Sequence, residues 1–197
     1  MATDKELLKQ IITGRRSTYP KDFKYGAKID DGVIEEILSL AIWAPTHKLT
    51  QPWYFKVFRN NGVKAFFQKQ SEIYQTITPQ EQIAPKKIEK YAIKAEQTSH
   101  VIAIIARHHP ENKIPEIEET VATACALQNI YLSMKAFGIA GYLSTGAVCY
   151  TPQMEEFLGL NPGDKCLGFF QLGIPADNLN VVNRKRIDYQ EKMEWID

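Results

Sequence analysis

Six consecutive apolar residues, Val101-Ile102-Ala103-Ile104-Ile105-Ala106, constrain the fold of this chain more than any other segment. A strand with one wet face alternates polar and apolar side chains, so an unbroken, mostly β-branched run reads as a strand buried on both faces. Such a strand needs a layer of structure on each side of its sheet. The strongest covering element is Ile117–Phe137, where Ala122, Ala124, Cys125 and Ala126 stand among Val121, Leu127, Ile130, Tyr131 and Met134. This pattern predicts a long helix ended by Gly138, central and wrapped on most sides. A chain of 197 residues can bury roughly 70% of its unfolded surface in one core, so residues 1–197 are expected to form a single domain.

Leu7, Leu8, Ile11 and Ile12 recur at helical spacing and predict a helix over 4–14 that closes at Gly14. Asp30 or Asp31 caps a second helix, which should stop before Pro45. Trp53 to Phe58 is aromatic and β-branched between Pro52 and the turn Asn60-Asn61-Gly62, and reads as a strand. Helices are expected over 62–74 and 80–97, strands over Ile139–Leu143 and Leu167–Leu172. Thr151-Pro152 opens a short helix by the usual order of cap then proline. Helices and strands mix without regular alternation, which predicts an α+β fold rather than a doubly wound sheet.

Lys and Arg total 24 against 23 Asp and Glu. That balance disfavours a partner held by phosphate neutralisation, such as a nucleic acid, but leaves room for a small anion. Cys125, Cys149 and Cys166 are odd in number, far apart and without metal-ligand spacing, so neither a disulfide framework nor a zinc site is expected. No apolar run approaches a membrane span and the N-terminus lacks the apolar core of a signal peptide, so a reduced, cytoplasmic protein is the expectation. Gly141 to Gly146 has phosphate-loop glycine spacing but continues Ala147-Val148 in place of lysine and hydroxyl. No G-x-G-x-x-G follows a strand and no nucleophile elbow is present. His108-His109 reads as surface loop, and the basic stretch Lys86–Lys94 as a solvated helix face. Arg15-Arg16-Ser17, just past the first helix, offers two guanidinium forks and a hydroxyl to a phosphate. Arg184 and Arg186 raise the same possibility near the other end.

In chain order, Arg15-Arg16-Ser17, then Ala44-Pro45-Thr46-His47-Lys48-Leu49-Thr50-Gln51-Pro52-Trp53, then Gly138–Gly146, then Leu172-Gly173-Ile174-Pro175, then Arg184-x-Arg186 with Glu191 and Trp195, resemble the nitroreductase family of flavin-dependent oxidoreductases. The Ala-Pro-x-His-Lys segment is similar to a small subgroup of that family. The resemblance implies a central, mainly antiparallel sheet flanked by helices, with a long buried central helix, in an intertwined homodimer. It implies two FMN molecules at the subunit interface, reduced by NADH or NADPH and reoxidised by a nitroaromatic, quinone or similar small acceptor. By that resemblance Arg15, Arg16 and Ser17, helped by Arg184 and Arg186, hold the phosphate end. Thr46, His47 and Leu49 come from the other subunit, and Leu143, Ser144, Thr145 and Gly146 pass the ring system. Leu49 stands where the family usually has a polar residue, so one flavin contact is expected to be absent or replaced. The resemblance names no catalytic side chain, since the cofactor carries the chemistry.

Overall fold

The computed structural model describes residues 2–108, 114–179 and 185–196. Its helices are α1 (Asp4–Gly14), α2 (Asp31–Ala41), α3 (Asn61–Ile77), α4 (Pro85–Gln97), α5 (Glu116–Ser133) and α6 (Pro152–Leu158). Its strands are β1 (Trp53–Arg59), β2 (His100–Ala106), β3 (Ala140–Ser144) and β4 (Lys165–Gly173). The strands pair antiparallel in the order β1-β2-β4-β3, giving the α+β architecture expected from the sequence.

Every residue of β2 is buried, as its apolar run requires. Val101, Ala103 and Ile105 face a core built with Phe66, Phe67, Met154, Leu158 and Phe169, beneath α3, α4 and α6. Ile102 and Ile104 face the opposite core, with Ile34, Ile37, Ala126, Ile130, Phe170 and Leu172 beneath α2 and α5. Strand alternation divides one apolar run between two layers.

Local chemistry sets the ends of these elements. Thr3 and Glu6 form a reciprocal capping box on α1, and Asp30 caps α2 through the Gly32 N–H. Thr151 caps α6 with Pro152 in its first turn, and Gly159 ends it in the left-handed region at φ 61°. Helix α4 starts at Pro85, later than the expected residue 80, because residues Gln80–Gln82 form a separate 3-10 turn. The long helix is also less wrapped than its composition predicts. Ile117 and Val121 on α5 are 66% and 54% exposed, so one side of its N-terminal half faces outward.

After α1 the chain runs along the free edge of β3. The Thr18 N–H donates to the Gly141 carbonyl at 3.0 Å, and the Tyr19 and Tyr142 rings lie 4.8 Å apart. This places Arg15, Arg16 and Ser17 beside the strand that leads to Ser144–Gly146.

Candidate cofactor site

Arg15 and Leu143, far apart in sequence, meet through Tyr131. The Arg15 guanidinium lies 5.0 Å from the centre of the Tyr131 ring, and the Leu143 N–H donates to the Tyr131 hydroxyl at 2.8 Å. Phe170 braces the same ring edge-on at 4.6 Å. The Arg16 Nη1 donates to the Thr13 and Arg15 carbonyls at 2.7 and 2.8 Å, where cations complement the C-terminal end of a helix. Lys135, which the sequence did not single out, brings its Nζ to within 3.6 Å of where a Cβ on Gly14 would lie. Ser17 is exposed at the same edge.

Residues Ser144, Thr145 and Gly146 leave β3 as an irregular loop that enters the 3-10 turn Ala147–Tyr150. No hydrogen bond among the described residues uses the N–H of Thr145 or Gly146. Gly168, at φ 145°, lies against this loop. A Cβ there would come 2.8 Å from Leu143 Cδ1 and 2.9 Å from Thr145 Cγ2, so this position favours glycine by backbone and by space.

Beside the loop lies a cavity of about 420 Å³, whose walls include Ser144, Gly146, Gln70, Lys87, Tyr91 and Lys94 and no carboxylate. The Lys94 Nζ donates to the Tyr142 hydroxyl at 3.4 Å, and the Lys87 Nζ sits 3.9 Å from the Tyr74 ring centre. Gln70 is only 6% exposed and adds an amide to the lining. Burial, with Tyr74 and Tyr142 nearby, pushes the Tyr91 phenol above its ordinary value and keeps it a donor. The cavity therefore offers positive charge and donors without a compensating acid. Lys87, Tyr91 and Lys94 were read as part of a solvated face. Their spacing of four and then three was the available signal, because it puts all three on one side of α4.

The Thr46–Leu49 stretch lies elsewhere in the chain. The His47 Nδ1 meets Glu118 Oε2 of α5 at 2.5 Å, and a groove of about 380 Å³ runs between Pro45–His47 and Ile117, Val121 and Cys125. Lys48, Leu49 and Gln51 all hold left-handed φ values of 49°, 55° and 47°. Such backbone costs of order 1–3 kcal/mol per residue and persists where surroundings over-determine it. Part of that determination is visible, since the Gln51 N–H donates to Thr46 Oγ1 and Thr46 Oγ1 meets Thr50 Oγ1 at 3.0 Å. Among the described residues of one chain, none lines both this groove and the cavity by Ser144. Arg184 lies outside the described residues. Arg186 is exposed, in a tail whose described hydrogen bonds are local to Asp188.

One expectation is corrected. His108 is not surface loop: its side chain is 12% exposed and its Nδ1 meets Glu119 Oε2, itself nearly buried, at 2.6 Å. A carboxylate inside the apolar α5 pulls the histidine inward, which its position after a strand did not reveal. His109 lies outside the described residues. Among the described residues no group of three or more acids, histidines and cysteines is placed to hold a metal.

Fold and site together define an α+β protein with a cation-lined, donor-rich slot at the edge of an antiparallel sheet. Residues 12–174 match the model of the Nitroreductase family, and the chain belongs to that family. A curated relative, "Putative NAD(P)H nitroreductase YdjA" of Escherichia coli (strain K12), is 28% identical over 146 residues, covering 72% of this chain and 75% of its own. "Putative NAD(P)H nitroreductase YfhC" of Bacillus subtilis (strain 168) is 24% identical over 188 residues, covering 92% and 91%. Among solved structures, a nitroreductase-like family protein from Bacillus cereus superposes with a TM-score of 0.83 at 24% identity, over 100% of this chain and 98% of its own. The FMN-dependent nitroreductase NfnB of Mycobacterium smegmatis, solved with NADPH, gives 0.70 at 16% identity, over 96% and 98%. No helix among the described residues is long and apolar enough to cross a membrane.

Proposed function

We propose that the chain is an FMN-dependent oxidoreductase that takes electrons from NADH or NADPH and passes them to a nitroaromatic, quinone or similar acceptor. The observation that carries this reading is the slot at Ser144–Gly146, with two unused N–H donors, Lys87 and Lys94, and no carboxylate in its lining. That donor set fits a flat heterocycle with an electron-rich polar edge, and Arg15, Arg16, Ser17 and Lys135 fit its phosphate. Names of the curated relatives support the nicotinamide donor. FMN bound here supplies the two-electron chemistry, accepting hydride equivalents and releasing electrons to the acceptor.

The chain's own residues bind, orient and polarise. Arg15, held over Tyr131, and Arg16 and Ser17 grip the phosphate, with Arg184 and Arg186 contributed by the tail. Leu143 to Gly146 would flank the ring of a bound flavin, and the Thr145 and Gly146 N–H groups would be free to donate to its polar edge. Lys94 holds positive charge where negative charge accumulates on reduction. Thr46, His47 and Leu49 of a second copy close the slot across a homodimer interface formed by the groove face of α5. Leucine at 49 adds apolar cover in place of a hydrogen bond.

The reading is tested by purifying the protein and denaturing it: a yellow protein that releases FMN is expected. Anaerobic NADH or NADPH should then bleach the flavin. A flavin that stays oxidised with both would leave a flavin-binding protein without reductase turnover. Replacing Arg15 or Arg186 by alanine should weaken FMN binding by roughly 10- to 100-fold, the worth of a charged hydrogen bond, with the fold intact. Wild-type affinity in both variants would refute the phosphate assignment.

A further inference from the structure

Two of the three cysteines, 17 residues apart, meet behind the flavin loop. Cys149 sits in the turn Ala147–Tyr150 and Cys166 near the start of β4, with their Sγ atoms 3.5 Å apart. Cys149 is 1% and Cys166 8% exposed. Cys149 also lines the cavity assigned above to the flavin. Both surroundings have some give: Cys149 lies in a single short turn, and β4 shifts register against β2 between Ile104 and Ile105, the residues opposite Gly168 and Cys166.

We propose that Cys149 and Cys166 form a reversible dithiol–disulfide pair that couples the oxidation state of the protein to the Ser144–Gly146 loop. The coupling half of this proposal rests on the flavin reading above; the pair itself does not. Cys149 donates its S–H to the Cys166 sulfur, which favours thiolate at Cys166 and holds Cys149 as the thiol. One partner is thus the better nucleophile and the other the resolving thiol.

The oxidant is a hydroperoxide, which enters by the cavity that Cys149 lines and reaches the Cys166 sulfur 3.5 Å from that of Cys149. The Cys166 thiolate attacks one peroxide oxygen and the O–O bond breaks, giving Cys166 sulfenic acid; the leaving alkoxide or hydroxide takes up the proton that the Cys166 thiol released and departs as alcohol or water. The Cys149 sulfur then displaces hydroxide from the sulfenic sulfur, and the thiol proton leaves with it as water. Two thiols lose two electrons and two protons, and one O–O bond is reduced. A dithiol reductant reverses the change by exchange.

Bridging draws the sulfurs from 3.5 Å to about 2.05 Å, and the movement has a direct path to the loop. The Cys149 N–H donates to the Gly146 carbonyl at 2.8 Å, so the turn and the loop move together. From the other side, Gly168 lies two residues from Cys166 and so near the loop that an added Cβ would meet Leu143 and Thr145 within 2.9 Å. Oxidation should therefore displace the N–H donors of the slot.

The test uses the full-length protein as purified, treated with about one equivalent of hydrogen peroxide. In denaturant, free thiols should fall from three to one and return to three after dithiothreitol. Peptide mapping should link Cys149 to Cys166 and leave Cys125 free. In a Cys125→Ser background the count should go from two to none. Unchanged thiols, a link through Cys125, or oxidation that dithiothreitol does not reverse would overturn the pair. In the flavin-loaded protein, oxidation should weaken FMN binding by about tenfold, within the usual range of coupling between sites, and reduction should restore it. Reversible pairing with unchanged FMN affinity would overturn the coupling while leaving the pair. A protein that binds no FMN would refute the flavin reading, and the thiol count would still decide the pair.

Discussion

The two faces of the sheet are equally well sealed inside and differ in how they meet the outside. Phe66, Phe67 and Phe169 on one face, and Ile37, Ile130 and Phe170 on the other, are almost wholly buried. Beyond the first face, α3 and α4 present charges to water, with ion pairs such as Lys64–Glu96 and Lys69–Glu72. Beyond the second, the stretch from the end of α2 to Leu49 and the first turns of α5 show Leu40, Ile42, Trp43, Leu49, Ile117 and Val121. Scattered exposed apolar residues are ordinary, but a set of this size is the kind of surface on which the proposed homodimer interface would be built. A doubly buried strand requires two covering layers; it does not decide whether a layer's outer side ends in water. Here one layer ends in charges and the other in exposed apolar side chains.

The largest expected effect lies in the sealed interior. Phe66→Ala removes a fully buried ring from the closed face and should cost about 3–5 kcal/mol in urea unfolding, without changing self-association. A loss below ~1 kcal/mol would mean that this core collapses around the gap.

A smaller effect separates the outer surfaces. Val121→Arg should weaken self-association at least about 30-fold, as truncating a central interface residue does, measured by sedimentation of the flavin-bound protein. The fold of each chain should stay within about 0.5 kcal/mol, because Val121 is exposed in the single chain. Ile93→Arg, a similarly exposed apolar site on α4, should do neither. Equal behaviour of the two variants would erase the distinction between the faces.

The smallest effect concerns how the open-face helix is pinned to the sheet. Asp31, in the first turn of α2, accepts from His100 Nε2 at 2.9 Å and pairs with Arg59, while Ser99 Oγ accepts the Ile29 N–H at 2.8 Å. The hydrogen bond from His100, ahead of Arg59, holds the Asp31 carboxyl below its usual range. A carboxyl so lowered stabilises the fold above its unfolded value and loses that contribution as acid protonates it. The thermal midpoint should therefore fall as pH drops through the carboxylate range, and Asp31→Asn should flatten that fall. Parallel curves would show that the contact does not govern the acid limb.

Much of this architecture is legible in the sequence, for physical reasons. The run 101–106, the cap-and-proline start at Thr151-Pro152 and the closure of α1 at Gly14 are local signals carried by neighbouring residues. Arg15-Arg16-Ser17 and Ser144-Thr145-Gly146 could be proposed as site segments from the sequence because each is contiguous. Lys87, Tyr91 and Lys94 are not, because charge composition alone reads as solvent and only the packing of α4 turns that stripe toward a cavity. The burial of His108 depends on Glu119 in a different element. The outward side of α5 escaped because composition reports how apolar a helix is, not how much of it its own chain can cover.

The sequence by itself determined that a strand buried on both faces runs through the centre, which helices and strands surround it, and which motifs place the chain among nitroreductases. Tertiary structure decided which distant side chains touch. The strand order β1-β2-β4-β3 sets β4 between β2 and β3, so Tyr131 reaches Leu143, the α4 lysines reach the loop, and Cys166 comes up against Cys149. Three cysteines without useful spacing are chemically silent in a one-dimensional reading. Two of them become a candidate redox pair because strand order and register, set by the whole core at once, fix their separation.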